Sequence, residues 1–248
     1  MDLRNGDNDL MHQLCNGYRV QLQTYRRGTD PQLFAWFCSL YGQQDARGLA
    51  KESRARDAAE CDPRANPRVL CLSHKKQMRV NTRQNELLKP PHARHCEWQG
   101  EDPVGTTMLP QSLNVWPGLE LIGCPRGSGK QRTVQGVVYV VTAIGEDALE
   151  LEMLPEYRHG AAGEKASVPW DEVCAQLRMC HAMCCYTCQG RTVRDRHSVI
   201  LDTTHQRFSV RALIVGLSRA THGSWLHIGD EQSEALFGGD RAVRQKGR

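Results

Sequence analysis

The fold is decided between residues 180 and 220, where the sequence reads CHAMCCYTCQGRTVRDRHSVILDTTHQRFSVRALIVGLSRA. A helical stretch up to Gly190 is followed by the apolar run 197–201, which has the length expected of a strand buried inside a sheet. Residues 209–219 then have the apolar spacing of a helix, and Trp225–Ile228 form another short apolar run. This alternation of buried strands with helices predicts an α/β fold.

The same pattern occurs earlier in the chain. Asp30 and Pro31 predict the start of a helix that runs to about Leu40, because aspartate caps exposed amides and proline is tolerated in the first turn. Residues 69–72 form a short apolar run, and a polar helical pattern follows it as far as Leu88. A buried strand that leads into a helix is half of an α/β unit.

The region between residues 109 and 154 has a different character. It contains three β-rich segments, 115–122, 134–144 and 148–153, separated by turns that contain glycine. Short strands at intervals of about ten residues favour a small β-barrel over further α/β structure. We therefore predict a small β-barrel inserted into the α/β domain.

The composition is that of an intracellular protein with a core of ordinary size. The chain has 248 residues, of which 40% are hydrophobic, and its formal net charge is +4. That charge neither requires nor excludes nucleic acid, because the local potential guides a polyanion. No apolar run approaches the length of a membrane span, and eleven cysteines are an odd number for a disulfide scaffold. We expect a soluble protein with reduced thiols and no membrane association.

Two segments carry a family resemblance. Residues 180–192 resemble motif V of superfamily 1 DNA helicases in the RecD-like and PIF-like group, whose pattern is approximately A-x-T-x-H-K-x-Q-G-x-T. The chain matches it at Ala182, Gln189, Gly190 and Thr192, and has Cys184, Tyr186 and Thr187 in place of the family's Thr, His and Lys. Residues 214–221 are similar to motif VI, approximately Y-V-A-L-S-R-A.

Two upstream segments extend the resemblance. Residues 23–27 resemble motif IV, which implies that Arg26 meets the nucleotide. Residues 69–85 resemble the strand and helix that touch the sugar-phosphate backbone, and the contacting groups would be Ser73, His74 and Lys75. Residues 113–137 are similar to the small barrel that these helicases insert and that helps to hold single-stranded DNA.

The resemblance implies that the chain is the C-terminal, second motor domain of such a helicase. Its fold would be a RecA-like parallel sheet with helices on both faces and an inserted small β-barrel. The implied division is residues 10–107 for the first part of the motor domain, 108–158 for the barrel, 165–232 for the remainder, and 238–248 for a disordered basic tail.

The resemblance also assigns the chemistry. ATP binds between two RecA-like domains, and the second domain supplies an arginine that stabilises the charge on the γ-phosphoryl oxygens during hydrolysis. Arg219 is the implied catalytic residue, and Arg26, Gln189 and Gly190 are its implied partners at the nucleotide. The implied DNA contacts are Ser73, His74, Lys75, Cys184 and Thr192.

A complete motor also needs a Walker A loop and a Walker B acidic pair. The nearest string, residues 123–131, has Cys124 in place of the required first glycine and Gln131 in place of the magnesium-binding hydroxyl. We therefore expect ATP and Mg²⁺ to bind only together with an N-terminal RecA-like domain or subunit, and no ATPase activity from the chain alone. The cellular setting would be the nucleus or the replication site of a virus or mobile element, in DNA replication or repair.

Two other classes stay open at this stage. One is a non-catalytic nucleic-acid-binding remnant, since residues 191–219 contain six arginines and only two aspartates: Arg191, Arg194, Arg196, Arg207, Arg211 and Arg219 against Asp195 and Asp202. The other is a zinc-binding interaction domain built on Cys180, His181, Cys184, Cys185 and Cys188, with His92, His95 and Cys96 as a second half. The simpler interpretation of these cysteines is that small apolar thiols fill buried positions.

Each site motif has a purely structural alternative as well. Arg219 could interact with a helix dipole, and Gly190 could end a helix. The run 73–76 could be a solvated helix start, which is as reasonable as a phosphate site. For Trp116 and Tyr139 we favour core packing over base stacking.

Overall fold

The protein contains a parallel sheet and an antiparallel sheet, and both pack on one long helix. The computed structural model describes residues 28–52, 56–57, 60–100, 109–125, 130–155, 164–185, 187–188, 193 and 197–230. In these ranges the strands, numbered in chain order, are β1 Arg56–Asp57, β2 Arg68–Cys71, β3 Arg94–Cys96, β4 Leu113–Val115, β5 Glu120–Gly123, β6 Val138–Ile144, β7 Ala148–Met153, β8 Lys165–Pro169, β9 Leu177–Met179, β10 Ala182–Cys184, β11 Val199–Asp202 and β12 Leu226–Gly229. The α-helices are α1 Pro31–Ser39, α2 Ala46–Glu52, α3 His74–Leu88, α4 Val173–Gln176 and α5 Val210–Leu217.

The parallel sheet has the strand order β1-β12-β11-β2-β10. Strands β2 and β11 are buried along their whole length, as predicted from their apolar runs. Successive residues of a strand point to opposite faces, so Leu70 packs with Leu213 of α5 on one face. Val69 packs with Val80 of α3 on the other face. The predicted α/β class, with a parallel sheet and helices on both faces, is confirmed.

The antiparallel sheet lies between α3 and β10 in the chain. Its strand order is β8-β7-β6-β5-β9, and β3 pairs with β4 in a separate two-stranded ribbon. The sheet extends past residue 158, the predicted end of the insertion, because β8 pairs with β7 and β9 pairs with β5. Tyr139 is 2% exposed in the core of this sheet and Trp116 packs against that core, so the prediction of core packing for both is confirmed.

Helix α3 joins the two sheets through buried amide side chains. Asn81 Nδ2 donates to the carbonyl of Met179 (3.1 Å), and Asn81 Oδ1 accepts from the amide of Ala182 (2.7 Å). Asn85 exchanges hydrogen bonds with the backbone of Asn114, through the carbonyl at 2.8 Å and the amide at 2.7 Å. Met179 belongs to the antiparallel sheet and Ala182 to the parallel sheet, so a single side chain holds their junction.

The local signals at the helix ends have the expected geometry. Asp30 caps α1, because its Oδ1 accepts from the amides of Gln32 (2.9 Å) and Leu33 (3.0 Å).

The predicted helical stretch before Gly190 is wrong over the described residues. After β10 the backbone makes a turn, in which the amides of Thr187 and Cys188 both donate to the carbonyl of Cys184. The turn gives these two amides a hydrogen-bond acceptor close in sequence, and the chain leaves the edge of the parallel sheet at this turn.

Gly216 occupies the position at which the motif VI pattern, which residues 214–221 resemble, has alanine. A Cβ atom at Gly216 would lie 2.6 Å from Cδ1 of Leu201. Leu201 is completely buried in the core between α5 and the sheet. The leucine side chain therefore occupies the space that an alanine methyl group would need.

None of the helices in the described part of the chain is long and apolar enough to cross a membrane.

Candidate functional site

The segments predicted to touch DNA leave the parallel sheet side by side. Strands β2 and β10 are neighbours, with Cys71 in register with Cys184. The amide of Cys185 donates to the carbonyl of Cys71 at 2.8 Å, so the pairing continues one residue beyond β10. Both segments therefore begin at the carboxyl edge of the sheet, where ligands bind in open α/β sheets.

The first of these segments begins α3. Ser73 caps the helix, and its hydroxyl accepts from the amide of Lys76 at 3.4 Å. His74 Nδ1 lies 3.1 Å from Oε1 of Gln77, and Lys75 is exposed to solvent. The N-terminus of a 15-residue helix with an exposed ammonium group beside it is suited to a phosphate.

Lys76, the neighbour of Lys75, has a different environment. Its ammonium group is buried and donates to Oδ1 of Asp202 (2.9 Å) and to Oγ1 of Thr204 (2.7 Å). Asp202 is completely buried at the end of β11 and also accepts from the amide of Thr204 at 3.1 Å. This ion pair fixes the first turn of α3 to the loop that leads to α5.

The second segment is the turn after β10. The side chain of Cys184 is 1% exposed, and its Sγ lies 3.9 Å from the carbonyl of Leu72. A ligand on the surface would reach the backbone at this position before the thiol. Gln189, Gly190 and Thr192 lie outside the described residues, as does Arg26.

Arg219 lies just after the last turn of α5 and is only 6% exposed. Its Nε donates to the carbonyl of Val215 (3.1 Å), one terminal nitrogen donates to the carbonyl of Cys188 (3.2 Å), and the other donates to Oγ of Ser218 (2.8 Å). The guanidinium plane is thus held between α5 and the turn after β10.

The backbone around Arg219 joins other parts of the predicted nucleotide site. The amide of Val193 donates to the carbonyl of Arg219 at 2.9 Å, and Val193 pairs with Ala220 in a parallel bridge. The amide of Thr29 donates to the carbonyl of Thr221, also at 2.9 Å. Thr29, Cys188 and Val193, which are distant from residues 215–221 in sequence, therefore all bond to that stretch around Arg219.

A buried ionic cluster, which the sequence did not indicate, connects the two sheets. Arg68 of β2 forms an ion pair with Glu120 of β5, and the same terminal nitrogen of Arg68 lies 3.1 Å from Nε2 of His197. His197 Nδ1 donates to the carbonyl of Asn66 at 3.0 Å, because a carbonyl can only accept. His181 Nδ1 lies 2.8 Å from Oδ1 of Asn66.

The environment of His181 predicts a pH dependence of stability. Burial, with the nearby charges of Arg68 and His197, lowers the pKa of His181 from 6.5 to about 3. Below pH 6.5 the unfolded chain takes up a proton that the folded chain does not, so the stability that neutral His181 contributes is lost as the pH falls from 6.5 towards 3. By pH 5 we expect a loss of about 2 kcal/mol from this residue.

Urea unfolding at pH 7 and pH 5 measures this effect. In His181→Gln, the decrease in unfolding free energy between the two pH values should be smaller than in the wild type by about 2 kcal/mol. An equal decrease in both proteins would show that His181 does not titrate as the structure indicates.

The glycine-rich string at residues 123–131 begins at the end of β5, and its residues 126–129 lie outside the described part of the chain. Gly123 ends β5, and the chain continues to β6, the antiparallel neighbour of β5. A Walker A loop leads from a strand into a helix, so the interpretation of this string as a false match agrees with the structure.

The cysteine cluster is part of the protein core. Cys185 and Cys188 pack in the core of the parallel sheet, and Cys180 packs near Ile122. Burial raises the pKa of the Cys185 thiol, whereas zinc requires a thiolate. Within the described ranges, no three His, Cys, Asp or Glu side chains are grouped so that they could hold a metal ion.

Solved structures provide a comparison for the whole architecture. The chain superposes on a structure described as two coordinating Pif1 helicases that unwind forked double-stranded DNA, with a TM-score of 0.58, 16% identity, and coverage of 92% of this chain and 55% of that one. This chain has the fold of the matched part of Pif1 helicases. Bacteroides Pif1 bound to single-stranded DNA gives a TM-score of 0.54 at 14% identity, with 92% and 55% coverage. Candida albicans Pif1 gives 0.51 at 14%, with 90% and 59% coverage.

The chain spans a little over half the length of these helicases. No family model matches it, and no curated protein does. At this level of identity the shared property is the fold.

Proposed function

We propose that this chain is the second motor domain of an ATP-dependent superfamily 1 DNA helicase. It would complete the ATP site of a first motor domain and grip single-stranded DNA. The observation that carries this proposal is the contact between the Arg219 guanidinium and the carbonyl of Cys188, the residue directly before the Gln189-Gly190 pair. The arrangement brings the motif VI arginine to the motif V segment in a chain with the Pif1 fold.

On the nucleotide side, the chain contributes Arg219, with Arg26, Gln189 and Gly190 as the further proposed contacts. The Walker A and Walker B elements of a first motor domain would hold ATP and Mg²⁺, which would supply the phosphoryl group and the metal. The three hydrogen bonds of Arg219 described above go to neutral oxygens. An anionic phosphate oxygen would form a stronger hydrogen bond with this guanidinium than any of these neutral acceptors does.

On the DNA side, the proposed contacts are Ser73, His74 and Lys75 at the start of α3, and Cys184 and Thr192 in the motif V segment. The two described ends of these segments are adjacent at one edge of the sheet. The antiparallel sheet occupies the part of the chain for which the resemblance implies a small barrel that helps to hold the strand. Bacteroides Pif1, which shares the fold, was solved bound to single-stranded DNA.

Binding of a labelled oligothymidylate of about 15 nucleotides tests the DNA side. Lys75→Ala should weaken binding severalfold and lower the slope of log affinity against log salt by about one, since one phosphate contact is lost. Lys89→Ala is the matched control, because Lys89 is an exposed lysine at the other end of α3 and pairs with Glu86. Equal effects of the two substitutions would contradict a phosphate site at the start of α3.

An ATP hydrolysis assay distinguishes a motor domain from the alternative function, a non-catalytic nucleic-acid-binding remnant. We expect no turnover from the chain alone, and turnover after addition of a domain that supplies the Walker elements. A chain that by itself hydrolyses ATP in response to single-stranded DNA, and loses that activity on Lys130→Ala, would overturn the proposal. Failure of every Walker-containing domain to restore turnover, with DNA binding intact, would favour the remnant.

A further inference from the structure

A cleft lies between the first two turns of α3 and the edge strand β9, directly beside the phosphate contacts proposed at the start of α3. Its volume is about 240 Å³ with the solvent at its mouth included, and its enclosed part has room for a group the size of one water molecule. Met78, Leu109 and Met179 form its apolar wall. The cleft is therefore too shallow for a whole ring, but it can admit one edge of a planar ring.

Hydrogen bonds fix the wall of the cleft. Nε2 of Gln111 donates to the carbonyl of Met78 (3.2 Å) and to the hydroxyl of Thr82 (3.1 Å), which holds the segment before β4 against α3. Asn81 holds β9 against the same helix through the carbonyl of Met179. A wall that is already held in place needs little reordering when a ligand binds, so less of the binding free energy is lost.

Gln77 presents an amide nitrogen to this cleft. The residue is 6% exposed, and its Oε1 lies 3.1 Å from Nδ1 of His74. An amide oxygen can only accept, so His74 Nδ1 donates, and Nε2 of the neutral imidazole is an acceptor. Within the described part of the chain, Nε2 of Gln77 makes no hydrogen bond. The two side chains therefore offer one donor and one acceptor, one helical turn apart.

We propose that the cleft receives the edge of one unstacked base from the single strand whose phosphates bind at the start of α3. The inference rests on the proposed function, because it concerns the same strand. Unstacked bases are recognised by hydrogen bonds to their Watson–Crick edges. On thymine this edge has an oxygen that accepts from Gln77 beside an N–H that donates to His74. The oxygen enters the enclosed part of the cleft, and the methionine side chains adapt to the ring.

The chemistry of the cleft favours a base over a phosphate. Phosphate oxygens only accept hydrogen bonds, so a phosphate placed here would face the lone pair of His74 Nε2. The apolar wall would also remove the phosphate from water without supplying a counter-charge from these two side chains. The exposed ammonium group of Lys75 and the amides at the helix start provide a better place for the phosphate. Base and phosphate of one nucleotide therefore have separate places at the start of α3.

An abasic scan tests the inference on the 248-residue chain. A labelled oligothymidylate of about 8 nucleotides limits the number of registers in which the strand can bind. Removal of the base at one position should weaken binding about tenfold, because two hydrogen bonds and the contact with the ring are lost. In Gln77→Leu, removal of that base should change the affinity less than about twofold. The slope of log affinity against log salt should stay as in the wild type, since no phosphate contact is lost.

The same helix supplies a matched control. Gln84 is also buried on α3, at 3% exposed, but does not line the cleft. Gln84→Leu should therefore keep the tenfold effect of the missing base. The urea midpoint of Gln77→Leu should match that of the wild type, which separates loss of the amide from loss of the fold. If Gln77→Leu does not fold, His74→Ala removes the acceptor of the pair and should abolish the same effect.

The possible outcomes separate this inference from the proposed function. An equal effect of the missing base in the wild type and in Gln77→Leu, or no effect at any position, would overturn the inference and leave the phosphate contacts standing. A lower salt slope in Gln77→Leu would place a phosphate in the cleft and would also overturn it. If the wild type does not bind the intact oligothymidylate, the proposed DNA contact fails and the inference fails with it.

Discussion

Replacing Arg219 by alanine is expected to lower ATP turnover about a thousandfold once the chain is paired with a domain that carries the Walker elements. Charge spreads over the γ-phosphoryl oxygens in the transition state, and a guanidinium supplied from the facing domain stabilises that charge. Arg219 donates to the carbonyls of Cys188 and Val215. These bonds hold it beside the segment that is proposed to contact the nucleotide.

Steady-state ATPase at increasing concentrations of single-stranded DNA measures this effect. The loss in kcat should persist at saturating DNA, because it comes from the chemical step. Arg211→Ala, exposed on the same helix, serves as the charge-matched control and should retain turnover. If kcat at saturating DNA is the same for Arg219→Ala and the wild type, Arg219 is not catalytic.

Replacing Asp202 by alanine is expected to lower the free energy of unfolding by about 3–5 kcal/mol. Its carboxylate is completely buried and accepts from the Lys76 ammonium and from Thr204. Without the Asp202 carboxylate, the Lys76 ammonium group would stay buried and would lose this ion pair. The loss is large because removal of one member of a buried ion pair leaves the desolvation cost of the other.

Urea denaturation of a double-mutant cycle measures the coupling. Asp202→Leu and Lys76→Met should each be strongly destabilising, and the double substitution should recover much of the loss, because two apolar side chains need no partner. Lys89→Ala breaks the exposed pair with Glu86 and should cost about 0.5 kcal/mol at most. Additive effects of the two buried substitutions would show that the pair is not coupled.

The elements that local signals define could be predicted from the sequence. Val69–Leu72 and the helix after it were identified because an apolar run precedes a polar helical pattern, and α1 was identified because aspartate and proline occur together at its start. The apolar runs and capping residues that define these elements lie within a few residues of them in the sequence.

Contacts between distant residues could not be predicted in this way. Lys75 and Lys76 are adjacent and identical in type, and only the position of Asp202, 126 residues further on, makes one exposed and the other buried. Strand β9 similarly lies within residues 165–232, which the resemblance assigned to the remainder of the motor domain and not to the inserted barrel. It pairs with β5 instead, since the two residues between β9 and β10 are enough for the chain to pass from one sheet to the other.

The buried amides of α3 have a mechanical consequence. Asn81 bonds to backbone atoms of both sheets, and Asn85 bonds to β4. Rotation of one sheet against the other would break several hydrogen bonds in a region without water to replace them. The two sheets are therefore expected to move together as one rigid body. In a motor that includes this chain, bending would occur at the boundary between this chain and the neighbouring domain.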